Sequence, residues 1–120
     1  MDYEYEPPSL KDEFENYRLL KKKYNVKIAD GITKFIQAMV SAENAYDIKA
    51  LPFMNLEHKH GNMANYYSAS PFGKSTKWRI VIQMLDADDK VVRPSNNEIT
   101  FLKSIKKIRI KELSEHYAKY

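Results

Sequence analysis

The feature that most constrains the fold is a change of hydrophobic period near Pro52. Before Pro52, apolar residues recur at the spacing of helices that bury one face, and after it apolar and polar residues alternate as in half-buried strands. Two periods in successive parts of one short chain predict an α+β fold, with helices packed on a sheet. Because the chain has 120 residues, we expect one domain over residues 1–120.

Two helices are predicted before Pro52. Ser9 and Asp12 have the spacing of a capping box, and the apolar positions after them predict a first helix over residues 10–23. A second periodic run predicts a helix over residues 26–43. Its apolar positions are Ile28, Ile32, Phe35, Ile36, Met39 and Val40. The short polar link between the two helices predicts a helical hairpin.

Strands are predicted at both ends of the chain and in its second half. Tyr3 and Tyr5 alternate with acidic residues in a short first strand that Pro7 and Pro8 end. Residues 63–70 and 78–85 predict an antiparallel hairpin, and residues 107–113 predict a last strand. Residues 95–104 fit either a helix or a strand. The predicted order is β-α-α-β-β-β, an antiparallel sheet with the helices on one face.

The alternation over residues 78–85 separates two faces of the predicted sheet. The apolar face consists of Trp78, Ile80, Ile82 and Met84. We expect the helices to cover this face, so Arg79 should project from the opposite face.

The charge of the chain is small but unevenly placed. The net charge is +4 and the pI is about 9.1, which is compatible with an anionic partner. Acidic residues are concentrated in residues 1–16 and basic residues in residues 103–120. We therefore predict that the anion-attracting surface lies at the C-terminal strand.

The absence of cysteine excludes several classes of protein. Disulfide scaffolds, zinc-thiolate sites and thiol nucleophiles all need cysteine, and the chain has none. The N-terminus is acidic and lacks the basic and apolar regions of a secretory signal, and no apolar run is long enough for a membrane span. We therefore expect a cytoplasmic protein.

Two stretches concentrate the reactive side chains. All three histidines lie in residues 56–62 or residues 114–117. A histidine can give or take a proton near neutral pH, and the guanidinium of Arg79 matches a phosphate group. Together they predict transesterification of RNA, which needs no metal or other cofactor. Two alternatives are open: a metal cluster of Glu57, His58 and His60, and ordinary surface or packing roles for each histidine.

Three stretches make the chain resemble the RelE/ParE superfamily of bacterial toxins, in particular its RelE/YoeB-like branch of mRNA endonucleases. Residues 56–67 are similar to the loop of basic residues, glycine and aromatic residues that opens the second strand in that family. Residues 78–82, Trp-Arg-Ile-Val-Ile, are similar to its strand with an arginine before aliphatic residues. The sequence Glu-His-Tyr at residues 115–117 is similar to the ending of the YoeB-like members.

The resemblance implies roles for individual residues. Arg79 matches the arginine that stabilises the transition state, His116 would be the general acid, and Tyr117 would stack on or orient an RNA base. Glu57 is the implied general base. The candidates for phosphate contacts, among them alternative bases, are His58, Lys59, His60, Lys77, Arg109 and Lys111.

The resemblance also implies partners: mRNA in the ribosomal A site, and a cognate antitoxin protein that silences the toxin. The alternative is a ParE-like toxin that is no nuclease, or an inert binding module, either of which acts through protein–protein contacts with a target such as gyrase. The chain departs from the family pattern at Ser68 and Ser70, where RelE-like ribonucleases often have basic residues, and in its long stretch over residues 91–106.

Overall fold

The structure, a computed structural model, describes residues 1–61, 64–73 and 76–115. Its helices are α1 (Leu10–Phe14), α2 (Tyr17–Lys23), α3 (Val26–Ser41), α4 (Ala45–Lys49) and α5 (Glu98–Ser104), with a 3₁₀ turn at Pro52–Met54. Its strands are β1 (Asp2–Tyr5), β2 (Glu57–His58), β3 (Tyr67–Ala69), β4 (Arg79–Leu85) and β5 (Lys107–Ser114). The predicted α+β class is confirmed.

The strands form one five-stranded sheet in the order β1-β5-β4-β3-β2. The neighbours β5, β4 and β3 pair antiparallel, as predicted, and β2, which lies in the predicted loop over residues 56–62, adds a further antiparallel strand, but β1 pairs parallel to β5. The sheet is therefore mixed, which differs from the purely antiparallel sheet expected from the sequence. A parallel pair needs a long crossover, and here nearly the whole chain lies between the two strands.

The first predicted helix is divided in two. Asn16 has an extended backbone, and its side chain accepts a hydrogen bond from the Leu19 amide, so a new helix begins at Tyr17. Ser9 precedes α1 as predicted but makes no side-chain capping bond. The single helix over residues 10–23 is therefore wrong: apolar spacing continues through Asn16, whereas the backbone does not.

The other helices start at asparagine caps. The side chain of Asn25 accepts from the Ile28 amide at the start of α3, which follows the prediction and ends at Ser41. The side chain of Asn97 accepts from the Thr100 amide at the start of α5. Of the two possibilities for residues 95–104, the structure therefore has the helix.

The hydrophobic core lies between the helices and one face of the sheet. All five helices contribute buried side chains to it, as do Ile80, Ile82 and Met84 of β4. Trp78 packs against this core and meets Tyr24 edge to face at 5.3 Å. The predicted apolar face is thus the helix-covered face, and Arg79 starts β4 on the other one. We call that other side of the sheet the Arg79 face.

Candidate functional site

Arg79 is held in place by the segment that precedes β4. Its Nη1 donates to the carbonyl oxygens of Thr76 and Trp78, each at 2.9 Å, and to Ser70 Oγ at 3.2 Å. Ser70 Oγ itself donates to the Trp78 carbonyl at 3.1 Å. Arg79 is half-buried, and its guanidinium is a planar donor group. These contacts place a permanent positive charge at one end of β4.

Strand β2 divides the predicted loop candidates between the two faces. Glu57 pairs with Ser68, which pairs with Val81, so Glu57 lies on the Arg79 face. The Lys59 amide donates to the Tyr66 carbonyl at 3.0 Å, which continues the register and places Lys59 on the same face. Strand spacing puts the backbones of Glu57 and Arg79 about 10 Å apart across the sheet and about 7 Å along it.

Lys59 is the more enclosed of these two loop residues. Its side chain is 12% exposed, that of Glu57 is 66% exposed, and Lys59 Nζ lies 3.8 Å from Glu57 Oε2. The carboxylate therefore has access to solvent and a cation beside it. A group in this setting can accept a proton from a bound hydroxyl.

The two loop histidines lie away from this group. His58 pairs with Tyr67 on the helix-covered face, and the two rings stack with centroids 5.0 Å apart. His58 Nε2 lies 2.8 Å from the Ala64 carbonyl oxygen, and the His60 ring lies 5.2 Å from the His58 ring. The structure thus brings Glu57 and Lys59 to the face of Arg79 but does not bring His58 or His60 there.

The basic residues of β5 are paired with acidic ones. Arg109 Nε lies 2.9 Å from Glu4 Oε2 and 3.8 Å from Glu6 Oε2, and Lys111 also pairs with Glu6. Lys107 Nζ lies 3.2 Å from Glu4 and 3.1 Å from Asp89. We call these six residues the charge ladder. The anion-attracting surface predicted at the C-terminal strand is therefore largely neutralised by Glu4, Glu6 and Asp89.

The charge ladder shifts the pKa values of Glu4, Glu6 and Lys107. The hydrogen bond from Arg109 lowers the pKa of Glu4, and the hydrogen bond from Lys111 lowers that of Glu6. Hydrogen bonds to Asp89 and then Glu4 raise the pKa of Lys107. Each group is held in its charged form by its partners.

The other predicted site residues are Lys77, His116 and Tyr117. Lys77 is exposed just before β4. His116 and Tyr117 lie outside the described residues, so their roles stay predictions. Ser114, two residues before His116 in sequence, pairs with Arg79.

Sequence reasoning missed the residues that surround Arg79. Thr76 and Ser70 position its guanidinium, and from the sequence Ser70 is only a departure from the pattern of the similar family. Two buried polar atoms also lie on the Arg79 face, Ser68 Oγ and Gln83 Oε1, and neither has a hydrogen-bond partner among the residues that the structure describes. Period-two alternation assigns all of these side chains to one face, but it gives no hydrogen-bond partners.

The described residues contain neither a cluster of metal ligands nor a membrane-spanning helix. Across residues 1–61, 64–73 and 76–115, no cluster of three or more histidine, aspartate or glutamate side chains is arranged to hold a metal ion. Over the same ranges, no helix has the length and hydropathy needed to cross a membrane.

Comparison with known proteins gives no relative for this chain. No protein-family model matches it, and neither a curated protein nor a solved structure matches it significantly.

Proposed function

We propose that the protein is a toxin-type endoribonuclease of the RelE/YoeB-like kind. It cleaves mRNA in the cytoplasm, in the ribosomal A site, and is neutralised by a cognate antitoxin. One observation carries the proposal: Glu57, Lys59 and Arg79 lie on the same face of the sheet, opposite the helices. This combines a carboxylate, an amine and a fixed guanidinium on a surface that the core does not occupy.

The reaction is the transesterification of a phosphodiester. Glu57 takes the proton from the ribose 2′-OH as O2′ bonds to the adjacent phosphorus, and the bond from phosphorus to O5′ breaks. A general acid returns a proton to O5′, and His116 is the proposed acid. The products are a 2′,3′-cyclic phosphate and a 5′-hydroxyl, so no oxidant, water or metal enters the balance.

Arg79 stabilises the charge that develops on the phosphoryl oxygens. Its contribution depends on position, because a donor aimed beforehand needs no reorganisation during the reaction. The bonds from Nη1 to Ser70, Thr76 and Trp78 supply that positioning. Lys59 adds a second cation beside Glu57, and Tyr117 is the proposed contact for a base next to the scissile bond.

The charge ladder also bears on the proposed substrate path. Because Arg109 and Lys111 already contact carboxylates, RNA phosphates must compete with Glu4 and Glu6 for them. We assign phosphate binding first to the half of the sheet with Arg79, Lys59 and Lys77, because the proposed catalytic residues lie there, and only second to β5.

The proposal is tested by inducible expression in bacteria followed by mapping of mRNA 5′ ends. Wild type should arrest growth and create new ends, whereas Arg79→Ala and His116→Ala should do neither at equal protein levels. Arg93→Ala is the matched control, since Arg93 is an exposed arginine outside the proposed site. New ends produced equally by wild type and both site variants would refute the proposal.

The same assay separates the protein-binding alternative. A toxin that acts on a target such as gyrase would arrest growth without new mRNA ends, and DNA damage would follow expression. An inert binding module would do neither. Purified wild type incubated with translating ribosomes then decides whether the ribosome is required.

A further inference from the structure

An apolar groove lies away from the Arg79 face, between α3, the 3₁₀ turn Pro52–Met54 and the loop 70–73. Its volume is about 760 Å³, within the range of protein binding pockets. The lining residues are Lys34, Pro52, Phe53, Asn55, Pro71 and Gly73. We call it the Phe53 groove.

The walls of the Phe53 groove are fixed by close contacts. A Cβ on Gly31 would lie 2.3 Å from Phe72 Cδ1 and 2.5 Å from the Pro71 oxygen, so α3 and the loop touch directly. Asn55 Nδ2 donates to the carbonyl oxygens of Phe53 at 3.3 Å and Ser70 at 3.0 Å. The 3₁₀ turn is thereby tied to the loop, and a partner would meet a preformed surface.

Phe53 supplies an unburied aromatic side chain to this surface. It is 48% exposed, and the neighbouring Pro52 is exposed too. Isolated apolar residues on a surface need no explanation, but an aromatic ring in a concave, rigid site is a typical anchor point for a protein partner.

Two lysines of α3 lie at one side of the groove. Lys34 lines it, and Lys27 Cε lies 3.5 Å from the position that a Cβ on Gly73 would take. Within the described part of the chain neither lysine forms an ion pair, in contrast to the three basic residues of the charge ladder. Seven residues of helix separate the two lysines by about 10 Å.

We infer that the Phe53 groove binds a short acidic amphipathic segment of a partner protein. Two acidic residues about two helical turns apart would reach Lys27 and Lys34, and the apolar side chains between them would pack on Phe53 and Pro52. An apolar floor favours a protein over RNA, because RNA binding relies on phosphate contacts and on stacking at open platforms. The inference is independent of nuclease activity.

The test is a titration of the whole ¹⁵N-labelled protein with a panel of short synthetic helical peptides. Each carries two glutamates seven positions apart, and the panel varies the apolar residues between them. At least one member should shift the amide resonances of Phe53, Gly73 and the segment 27–34. Replacement of its glutamates by lysine should weaken binding at least about tenfold, because both ion pairs are lost.

Variants of the protein locate the site. Phe53→Ser and Lys34→Glu should each weaken binding by about tenfold, whereas Ile99→Ser should not, although Ile99 on α5 is 53% exposed. Thermal unfolding of each variant shows that the fold is kept.

Three outcomes would overturn the inference. The first is that no peptide of the panel binds at concentrations up to about 1 mM. The second is equal weakening by Phe53→Ser and Ile99→Ser. The third is that a single-stranded RNA shifts the same resonances more strongly, with dependence on Lys27 and Lys34 but not on Phe53. None of these outcomes affects the RNA-cleavage assay above, so failure of one proposal is distinguishable from failure of the other.

Discussion

The two halves of the Arg79 face arrange their charges in opposite ways. Beside β1, the basic residues of β5 contact carboxylates at 2.9 to 3.2 Å, as Arg109 and Lys107 do. At the start of β4, Nη1 of Arg79 instead contacts two carbonyl oxygens and a hydroxyl. Two arginines on one sheet face are therefore held in different ways: Arg109 forms ion pairs with carboxylates, and Nη1 of Arg79 forms hydrogen bonds with neutral acceptors.

A strand with many basic residues does not necessarily form a basic surface. The acidic residues near the N-terminus and the basic residues near the C-terminus meet because β1 pairs with β5. An incoming phosphate at Arg109 must replace a carboxylate that is already bound. At Arg79 the contacts of Nη1 are with neutral oxygens, which hold the guanidinium in position for an incoming phosphate.

The largest expected difference between the halves is in catalysis. Under the proposed function, Arg79→Ala should lower the rate of RNA cleavage about 100-fold or more, because a positioned transition-state donor is lost. Arg109→Ala should lower it less than about tenfold, since its charge is already compensated. Single-turnover cleavage of a labelled RNA measures both rates. Equal losses of cleavage rate in the two variants would show that Arg79 and Arg109 do not differ in their contribution to catalysis.

A matched pair of serines tests the positioning of Arg79 next. Ser70→Ala removes hydrogen bonds to Arg79 and Trp78 and should lower the free energy of unfolding by about 1–2 kcal/mol. Ser68→Ala should be neutral or slightly stabilising, because Ser68 Oγ is buried and has no hydrogen-bond partner among the described residues. Urea unfolding distinguishes them. A larger loss in Ser68→Ala than in Ser70→Ala would contradict the stabilising role given to the hydrogen bonds of Ser70.

The charge ladder should make stability depend on acid pH. Since the pKa of Glu4 is lowered in the folded state, its contribution is present above the ordinary value of 4.5 and is lost as pH falls through the folded pKa. Glu4→Gln should therefore cost about 1 kcal/mol at neutral pH and progressively less below pH 4.5. Urea unfolding at constant ionic strength checks this. A difference that does not vary with pH would contradict it.

The smallest expected effect is on the salt dependence of RNA binding. In the double variant Glu4→Gln/Glu6→Gln, Arg109 and Lys111 can contact phosphates, so the slope of log K against log salt should steepen by about 1.4. Fluorescence anisotropy with a single-stranded RNA measures the slope. The control Asp12→Asn/Glu43→Gln removes the same charge from exposed positions elsewhere and should leave the slope unchanged. Equal slopes in both double variants would mean that the ladder does not mask β5.

Much of the fold was predictable because it follows from local periodicity. The helix at Val26–Ser41 and the strand at Arg79–Leu85 repeat their pattern over many residues, so single exceptions do not obscure them. The break at Asn16 was not predictable from apolar spacing, which is the same on both sides of it. The parallel pairing of β1 with β5 was not predictable either. Alternation shows which face of a sheet a side chain occupies, but it shows neither which strands are neighbours nor in which direction they run.

The candidate site was predictable only in part for a related reason. Alternation correctly assigned Arg79 to the face opposite the core. It does not separate Glu57 from His58, because a strand of two residues leaves no periodic signal. The partners of Arg109 and Lys111 depend on residues 105 positions away in sequence, beyond the reach of any local pattern.

That separation has a consequence for synthesis. The contact of Glu4 with Arg109 closes a loop of 105 residues, so β1 finds its neighbour only after β5 has been made. At ordinary rates of translation, about 5–20 residues per second, β5 is synthesised about 5–20 s after β1. Throughout that interval Tyr3 and Tyr5 are without their sheet partner, and the acidic residues that alternate with them, Asp2, Glu4 and Glu6, keep the nascent strand hydrated and discourage it from pairing with other chains.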